Sequence, residues 1–278
     1  MKPGINGRTE MPLDSIRDDH FLILGGSSGM GYAAAAYLLG AGGIVTICGR
    51  DEAKLAGAHR RMLAECGAAP DRLRSIVADA TRPGAVEEAF ALAQRPDGTL
   101  DGVFVVAGAG LILAAEETTP EIVLEQMTIN LVPLVNAIRS AFPRMKEKGG
   151  SILAMSSAAA LAPYPMLGAY GASKAALDHY VRNAADEFGK YRIRVNAVRS
   201  GFTNTPVNGE LMTDEHYIRE FRKITPLGAY AEPEQFGPIS ALLLSRESDW
   251  ITGAIVPVDG GLTLRGYGGG VLPSAMLP

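Results

Sequence analysis

The chain has 278 residues, of which 47% are hydrophobic and 20% are charged, and its formal net charge at pH 7 is −4. This length and hydrophobic content suit one α/β domain with a sizeable buried core. The small acidic excess, with no basic patch interleaved with aromatic residues, argues against nucleic-acid binding. The 2 cysteines suit a reducing compartment and the 4 histidines show no ligand spacing, so we expect neither disulfides nor a metal site.

Strands and helices are predicted to alternate along the chain. The strands are predicted over 20–24, 43–48, 73–78, 102–107, 150–156, 192–198 and 254–258. The helices are predicted over 30–40, 51–66, 83–95, 119–147, 169–189, 210–222 and 232–245. This alternation predicts an α/β fold of the Rossmann type, a doubly wound and mainly parallel seven-stranded sheet with helices on both faces. Ligands bind such sheets at the carboxyl ends of the strands.

We predict a single catalytic domain over 18–262, with a substrate lid at about 203–228 and with tails at 1–17 and 263–278. The first residues lack the apolar stretch of a signal peptide, and glycines interrupt the longest apolar run, 32–48. We therefore expect a cytoplasmic protein with no membrane partner.

The turn after the first predicted strand is rich in glycine. Gly25, Gly29 and Gly31 follow the pattern G-x-x-x-G-x-G, and an alanine-rich helix comes next. Gly25 permits a tight turn, Gly29 a close backbone approach and Gly31 tight packing of the helix on the strand. The start of the helix can then bind a pyrophosphate through free N–H groups. The residues expected to contact a dinucleotide here are Gly25, Ser27, Ser28, Gly29, Met30 and Gly31.

The second strand ends at Gly49, Arg50 and Asp51. An acidic residue at this point would bind a ribose 2′-hydroxyl and favour NAD(H). Here Gly49 leaves room and the Arg50 guanidinium suits a 2′-phosphate, which favours NADP(H) as cofactor and leaves NAD(H) open. In the alternative interpretation, Arg50 is a solvated loop residue and Asp51 caps the next helix.

Tyr170 and Lys174 are spaced i and i+4 on a predicted helix and so share one face. A phenol titrates near pH 10, and a neighbouring cation lowers its pKa toward the range useful for general acid and base catalysis. Such a pair alone is more often a surface pair. The glycine turn and this pair together, with Ser157 thirteen residues before the tyrosine, resemble the classical short-chain dehydrogenase/reductase family over about residues 18–262.

The resemblance implies a catalytic tetrad and a set of cofactor contacts. The tetrad is Asn130, Ser157, Tyr170 and Lys174. In the family Asp79 would contact the adenine, and Thr203 and Thr205 would close on the nicotinamide. The implied cofactor-binding residues beyond the glycine turn are Arg50, Asp79, Ala80, Ala107, Gly108, Tyr170, Lys174, Gly201, Thr203 and Thr205.

Three positions depart from the family pattern. The family often has Asn-Asn-Ala-Gly where this chain has Val105 to Gly108, a proline where it has Ser200, and a threonine where it has Leu24. None of these changes affects the tetrad. A bend at Pro133 in the predicted 119–147 helix would lie beside Asn130, where the family is thought to hold a water in a proton relay.

The resemblance implies an NAD(P)(H)-dependent oxidoreductase that interconverts a secondary alcohol and a ketone, with Tyr170 as general acid and base. One alternative is a 3-oxoacyl-thioester reductase of the acyl-carrier-protein type, and another is a non-catalytic NADP-sensing binding protein. The expected partners are a small carbonyl or alcohol substrate and further copies of the chain in a homotetramer or dimer. Small residues expected to let helices of two copies approach are Ala137, Ile138, Ala141, Ala175, Ala176 and Ala184.

The substrate side carries a less specific signal. Apolar residues precede Tyr170 and recur in the lid, which indicates a mostly apolar pocket or, equally, a local core. These residues are Tyr164, Met166, Leu167, Val207, Leu211, Met212, Tyr217 and Phe221.

Overall fold

A computed structural model describes residues 13–265 of the chain. Its strands are β1 (His20–Leu24), β2 (Ile44–Gly49), β3 (Leu73–Val77), β4 (Gly102–Val105), β5 (Gly150–Ser157), β6 (Ile193–Ser200) and β7 (Ile255–Val258). Its helices are α1 (Gly29–Gly40), α2 (Glu52–Cys66), α3 (Pro83–Ala93), α4 (Pro120–Asn130), α5 (Val132–Met145), α6 (Gly168–Phe188), α7 (Glu215–Ile224), α8 (Phe236–Leu244) and α9 (Leu262–Arg265). Short 3-10 turns join several of them.

The seven strands form one parallel sheet in the order β3-β2-β1-β4-β5-β6-β7. This confirms the predicted doubly wound fold. The strand order changes direction between β1 and β4, which opens a crevice at their carboxyl ends. The backbone closes the base of this crevice, because the N–H groups of Val106 and Ala107 both donate to the Leu24 carbonyl at 2.8 Å.

Both faces of the sheet are covered, as the apolar character of its strands requires. All five residues of β1 are buried, and they alternate between two cores. Leu22 and Leu24 belong to the core beneath α3, α5 and α6, whereas Phe21 and Ile23 belong to the core beneath α1 and α8. The central strands therefore form a firm support for the loops at their carboxyl ends.

The single predicted helix over 119–147 is wrong. The structure has α4 and α5, with a break at Leu131. Pro133 lies in the first turn of α5, where a missing N–H costs little, and the chain turns because the N–H of Leu134 bonds back to the Leu131 carbonyl at 3.0 Å. The proline thus separates two helices instead of bending one.

Two predicted helices, 210–222 and 232–245, begin too early. The 210–222 helix is a 3-10 turn at Leu211–Thr213 followed by α7, which begins where the Asp214 carboxylate accepts the N–H of Tyr217 at 3.0 Å. The 232–245 helix starts as a 3-10 turn at Pro233–Gln235 and becomes α8. A capping side chain sets the start of α7, whereas Gln235, the N-cap residue of α8, makes no side-chain cap hydrogen bond.

The predicted N-terminal tail is too long. Ile16 is fully buried in the core beneath α1 and α8, and the Ser15 hydroxyl donates to Glu247 at 2.5 Å. Residues 13–17 therefore belong to the domain, while 1–12 and 266–278 lie outside the described residues. Between residues 13 and 265, no helix has both the length and the apolar character that a membrane crossing needs.

Most of the small residues predicted to face another copy are used inside the chain. Ala137, Ile138, Ala141 and Ala184 are buried in the core beneath α3, α5 and α6. They allow α5 and α6 to pack closely on the chain's own sheet, which was the alternative to a subunit contact.

Candidate active site

A cleft of about 1110 Å³ lies over the carboxyl edge of the sheet. Loops after six of the strands line it, and almost all the predicted site residues meet there. The predicted residues in its lining are Gly25, Ser27, Ser28, Gly29, Met30, Arg50, Asp79, Ala80, Ala107, Gly108, Ser157, Tyr170, Lys174, Gly201, Thr203 and Thr205. Gly31 and Asn130 do not line the cleft, and each supports the wall from behind.

The glycine turn needs glycine for two separate reasons. Gly25 has φ of +104°, and a Cβ there would lie 2.9 Å from the Ala107 backbone nitrogen. At Gly31 a Cβ would lie 2.1 Å from the Gly25 carbonyl oxygen, an impossible contact. Glycine at these positions brings α1 directly onto the turn.

The start of α1 is suited to an anion. Ser28 is the N-cap residue, but its side chain makes no capping hydrogen bond. The first-turn N–H groups have no intrahelical partners and carry the positive end of the helix dipole toward the cleft. The turn therefore fits the pyrophosphate of a dinucleotide.

Arg50 and Asp79 lie at the far end of the cleft from Tyr170. Two hydrogen bonds from Thr81, at 2.9 Å from its N–H and 2.8 Å from its hydroxyl, lower the pKa of Asp79, as does the charge of Arg50. Arg50 is exposed in the cleft lining. Asp51 caps α2 by accepting the N–H of Lys54 at 2.9 Å, as the alternative interpretation of this segment expects.

Asn130 ends α4 and is completely buried. Its Oδ1 accepts the N–H of Ala109 at 3.1 Å, and its Nδ2 donates to the Ala109 carbonyl at 3.0 Å. A Cβ on Gly108 would lie 2.6 Å from that Oδ1. Asn130 thus fixes the loop after β4, which forms one wall of the cleft.

Ser157, Tyr170 and Lys174 meet at the other end of the cleft. Ser157 ends β5, while α6 carries Tyr170 in its first turn and Lys174 one turn later. The Lys174 Nζ donates to the Met155 carbonyl at 2.8 Å and lies 5.9 Å from the centroid of the Tyr170 ring. The hydroxyls of Ser157 and Tyr170 share a hydrogen bond.

The expected lowering of the phenol's pKa by Lys174 is wrong for the chain alone. Burial raises the pKa of Tyr170, and the hydrogen bond with Ser157 opposes this only in part. Burial also lowers the pKa of Lys174 to about 8, against the charge of Asp178. Removal from water disfavours phenolate and ammonium alike, so the chain by itself keeps Tyr170 protonated at neutral pH.

An aromatic wall lies next to Tyr170. Phe202 stacks on Phe221 with 4.6 Å between ring centroids and meets Tyr217 edge-on at 5.2 Å, while the hydroxyls of Tyr164 and Tyr217 are 3.4 Å apart. The apolar residues predicted here that line the cleft are Tyr164, Leu167, Val207, Leu211, Tyr217 and Phe221. Met166 and Met212 are absent from the lining among the described residues.

Sequence reasoning missed several residues of this lining. Phe202, Glu125 and Ile112 line the cleft but come from loops or from a helix face that faces outward. Phe202 stands directly after Gly201, and that adjacency to a predicted cofactor residue is the one signal that could have indicated it.

The sequence and the fold both match known proteins. A family model described as enoyl-(acyl carrier protein) reductase matches residues 25–263. A tropinone reductase homologue of Arabidopsis thaliana is 31% identical over 250 residues, which cover 88% of this chain and 80% of that protein. An NADP-dependent (R)-specific alcohol dehydrogenase of Lentilactobacillus kefiri is 32% identical over 256 residues, with 91% and 99% covered.

Among solved structures, a short-chain type dehydrogenase/reductase from Mycobacterium ulcerans superposes with a TM-score of 0.87 at 32% identity, covering 95% of each chain. The levodione reductase structure gives a TM-score of 0.82 at 28% identity, with 89% of this chain and 98% of that chain covered. On the family match, the relatives and the fold, this chain belongs to the classical short-chain dehydrogenase/reductase family of oxidoreductases.

Proposed function

We propose that the protein is an NADP(H)-dependent oxidoreductase that interconverts a secondary alcohol and a ketone, with Tyr170 as its general acid and base. One observation carries the proposal. A single cleft has a glycine turn and Arg50 at one end, and Ser157, Tyr170 and Lys174 beside an aromatic wall at the other.

The residues present fit a dinucleotide. The glycine turn leaves room that a Cβ would fill, and the start of α1 offers N–H groups to a pyrophosphate. Arg50 suits a 2′-phosphate, and the L. kefiri relative is named NADP-dependent, which supports NADP(H) over NAD(H). The remaining proposed contacts are Asp79, Ala80, Ala107, Gly108, Tyr170, Lys174, Gly201, Thr203 and Thr205. When bound, the nicotinamide supplies the hydride.

The chain supplies the proton and the electrostatic stabilisation. In ketone reduction the Tyr170 hydroxyl gives its proton to the carbonyl oxygen, and the Ser157 hydroxyl donates a hydrogen bond to the same oxygen as negative charge develops. The Lys174 ammonium stabilises the phenolate that remains. Since burial raises the pKa of Tyr170, the protonated acid predominates at neutral pH.

Asn130 acts on this chemistry through the backbone. It fixes Ala109, and the break after it leaves the Ile129 carbonyl without the N–H that Pro133 lacks. We propose that a water bound at this break passes protons between Lys174 and solvent.

A second candidate is the reduction of a carrier-bound acyl thioester. The description of the matched family model, which names enoyl-(acyl carrier protein) reductase, favours it. In the cleft lining of the described residues, however, Arg50 and Lys174 are the basic side chains, so none faces a phosphorylated carrier from the lid. A non-catalytic NADP sensor is a weaker candidate, because it would not need Ser157, Tyr170 and Lys174 together.

The proposal also covers where the enzyme works and how it assembles. We propose a cytoplasmic homo-oligomer, a tetramer or dimer, acting on a small carbonyl or alcohol. The half-exposed faces of α4 and α6 remain available for subunit contacts, since Ala175 and Ala176 are not buried.

A spectrophotometric panel tests the function. Oxidation of NADPH and of NADH is followed at 340 nm with cyclic, aromatic and open-chain ketones, an acetoacetyl thioester and a crotonyl thioester. The proposal predicts turnover of at least one ketone, faster with NADPH. Turnover of the thioesters alone would favour the second candidate, and NADPH binding with no turnover on the panel would favour the sensor.

A further inference from the structure

A buried ion pair lies one helical turn beyond Lys174. Asp178 on α6 is 3% exposed, and its Oδ2 accepts a hydrogen bond from Nη2 of Arg199 on β6 at 2.5 Å. Arg199 itself is 8% exposed. Taking two charges out of water is costly, and their mutual attraction offsets that cost only in part. We therefore expect this buried ion pair to have a role besides stabilising the fold.

The pair lies in the same layer as Lys174. Lys174 and Asp178 are spaced i and i+4 on α6, which places their Cβ atoms roughly 5–6 Å apart. Arg199 stands beside Ser156 in the β5–β6 ladder, and Lys174 reaches the carbonyl of Met155, the residue before it. All three charges are thus enclosed between α6 and the carboxyl end of β5 and β6.

The hydrogen bond from Arg199 involves only one of the two carboxylate oxygens of Asp178. The pair is joined through one nitrogen and one oxygen, and neither Asp178 Oδ1 nor Arg199 Nε has a hydrogen-bond partner among residues 13–265. A bidentate pair would satisfy both atoms. The second carboxylate oxygen therefore remains available to act on the neighbouring ammonium across a medium that screens little.

Few other charges compete for Lys174. From α4 the titratable side chain at the cleft is Glu125, which is exposed; β5 contributes the Met155 carbonyl and serine hydroxyls; β6 contributes Arg199; α6 contributes Tyr170. Asp178 is the group whose charge raises the pKa of Lys174, against the lowering by burial to about 8.

We propose that Asp178 is a positioning residue for Lys174, whose buried carboxylate, oriented by Arg199, keeps the ammonium charged and held at the Met155 carbonyl below Tyr170. What Lys174 then does in turnover rests on the proposed function. How Lys174 titrates does not, so the two can fail separately.

The titration of Lys174 is measured directly. Purified full-length protein is labelled with trace acetic anhydride from pH 6 to 11, and the Lys174 peptide is quantified by mass spectrometry, with no substrate present. In Asp178→Asn the midpoint should fall by about 1 unit or more, the effect expected from loss of one close opposite charge. Asp178→Glu should restore most of it. The matched control is Asp186→Asn, an exposed carboxylate on the same helix, which should leave the midpoint unchanged.

A double variant separates charge support from structural damage. Asp178→Asn leaves Arg199 buried and unpaired, which could unfold the chain. Asp178→Asn with Arg199→Met leaves no buried charge in the pair. The proposal predicts a midpoint still below that of the wild type, and a matching shift of the alkaline limb of kcat/KM to lower pH on any substrate found. A wild-type midpoint in either the single or the double variant overturns it.

Discussion

Charged side chains at the amino edge of the sheet contact one another, whereas most polar groups at the carboxyl edge face the cleft. At the amino edge, Arg95 bridges two carboxylates, at 2.9 Å from Asp19 and 2.7 Å from Asp101, and Arg246 lies 3.6 Å from Asp19. At the carboxyl edge, the Lys174 ammonium contacts a carbonyl and the N–H groups at the start of α1 have no side-chain cap.

Substitutions at the two edges of the sheet should therefore affect different properties of the protein. Charges at the amino edge contact one another and lie outside the cleft lining, so altering them should change the free energy of unfolding and leave ligand binding intact. Apart from the buried pair of Asp178 and Arg199, polar groups at the carboxyl edge face a cleft, so altering them should change binding or turnover more than stability.

The largest effect is expected at Tyr170. Tyr170→Phe removes the proton donor while keeping the ring, so kcat should fall by about 10³-fold, within the range for general acid–base groups. NADPH affinity, measured by fluorescence titration, should change little. Tyr180→Phe, on the same helix outside the cleft lining, is the control and should keep full activity. A Tyr170→Phe enzyme within tenfold of wild type would remove Tyr170 from the mechanism.

Gly31→Ala should come next, because its Cβ would meet the Gly25 carbonyl oxygen at 2.1 Å. Relief of this contact must move α1 away from the turn, so we expect a loss of at least about 2 kcal/mol of stability and of NADPH binding. Gly40→Ala, at the other end of α1 with nothing within 4 Å of the new Cβ, should be neutral. Wild-type NADPH affinity in Gly31→Ala would show that the turn does not hold the cofactor.

Arg50→Ala tests the cofactor preference. Loss of one charge-assisted contact to a 2′-phosphate should raise KM for NADPH by about 10- to 100-fold and leave KM for NADH nearly unchanged, corresponding to about 1.5–3 kcal/mol. Arg60→Ala removes an exposed arginine of α2 and should change neither value. An equal rise in KM for both cofactors would indicate that Arg50 does not contact the 2′-phosphate.

The smallest effect is expected at the amino edge. Burial and the neighbouring Asp101 raise the pKa of Asp19 to about 6 from its usual 3.8. The folded protein therefore binds more protons than the unfolded chain between these values, and this carboxyl makes stability fall as pH rises from about 4 to about 6. Between pH 4.5 and pH 7 the loss should be about 1–2 kcal/mol, because part of the pKa difference is titrated below pH 4.5.

Urea unfolding at pH 4.5 and pH 7 measures this contribution. In Asp19→Asn it should vanish, so the variant should gain stability relative to wild type as pH rises, with turnover unchanged. Asp71→Asn, at an exposed position, should follow wild type at both pH values. A drop in turnover for Asp19→Asn with stability unchanged would break the division between the two edges.

Local signals predicted the part of the site that is made by the backbone. The strand–glycine–helix pattern around Gly25 depends on neighbours in sequence, and the structure has β1, the turn and α1 where the pattern indicated them. The family match over residues 25–263 confirms the resemblance that those motifs carried. Asp51 could likewise be identified as a cap from its position alone.

Features set by distant contacts could not be predicted in the same way. Whether Pro133 bends a helix or separates two depends on the turn at Leu131, which pattern does not specify. The pKa of Tyr170 is raised by burial, and burial is set by the packing of distant parts of the chain. The pair of Asp178 and Arg199 joins residues 21 positions apart, and only the packing of α6 on β6 brings them together.

A crystal structure with NADP⁺ bound tests the central claim most directly, namely that one cleft holds the cofactor with its nicotinamide beside Tyr170. The account predicts the pyrophosphate at the start of α1, the 2′-phosphate at Arg50, and the nicotinamide ring next to the Tyr170 hydroxyl with its ribose at Lys174. A nicotinamide directed away from Tyr170, or a cofactor bound outside this cleft, would contradict it.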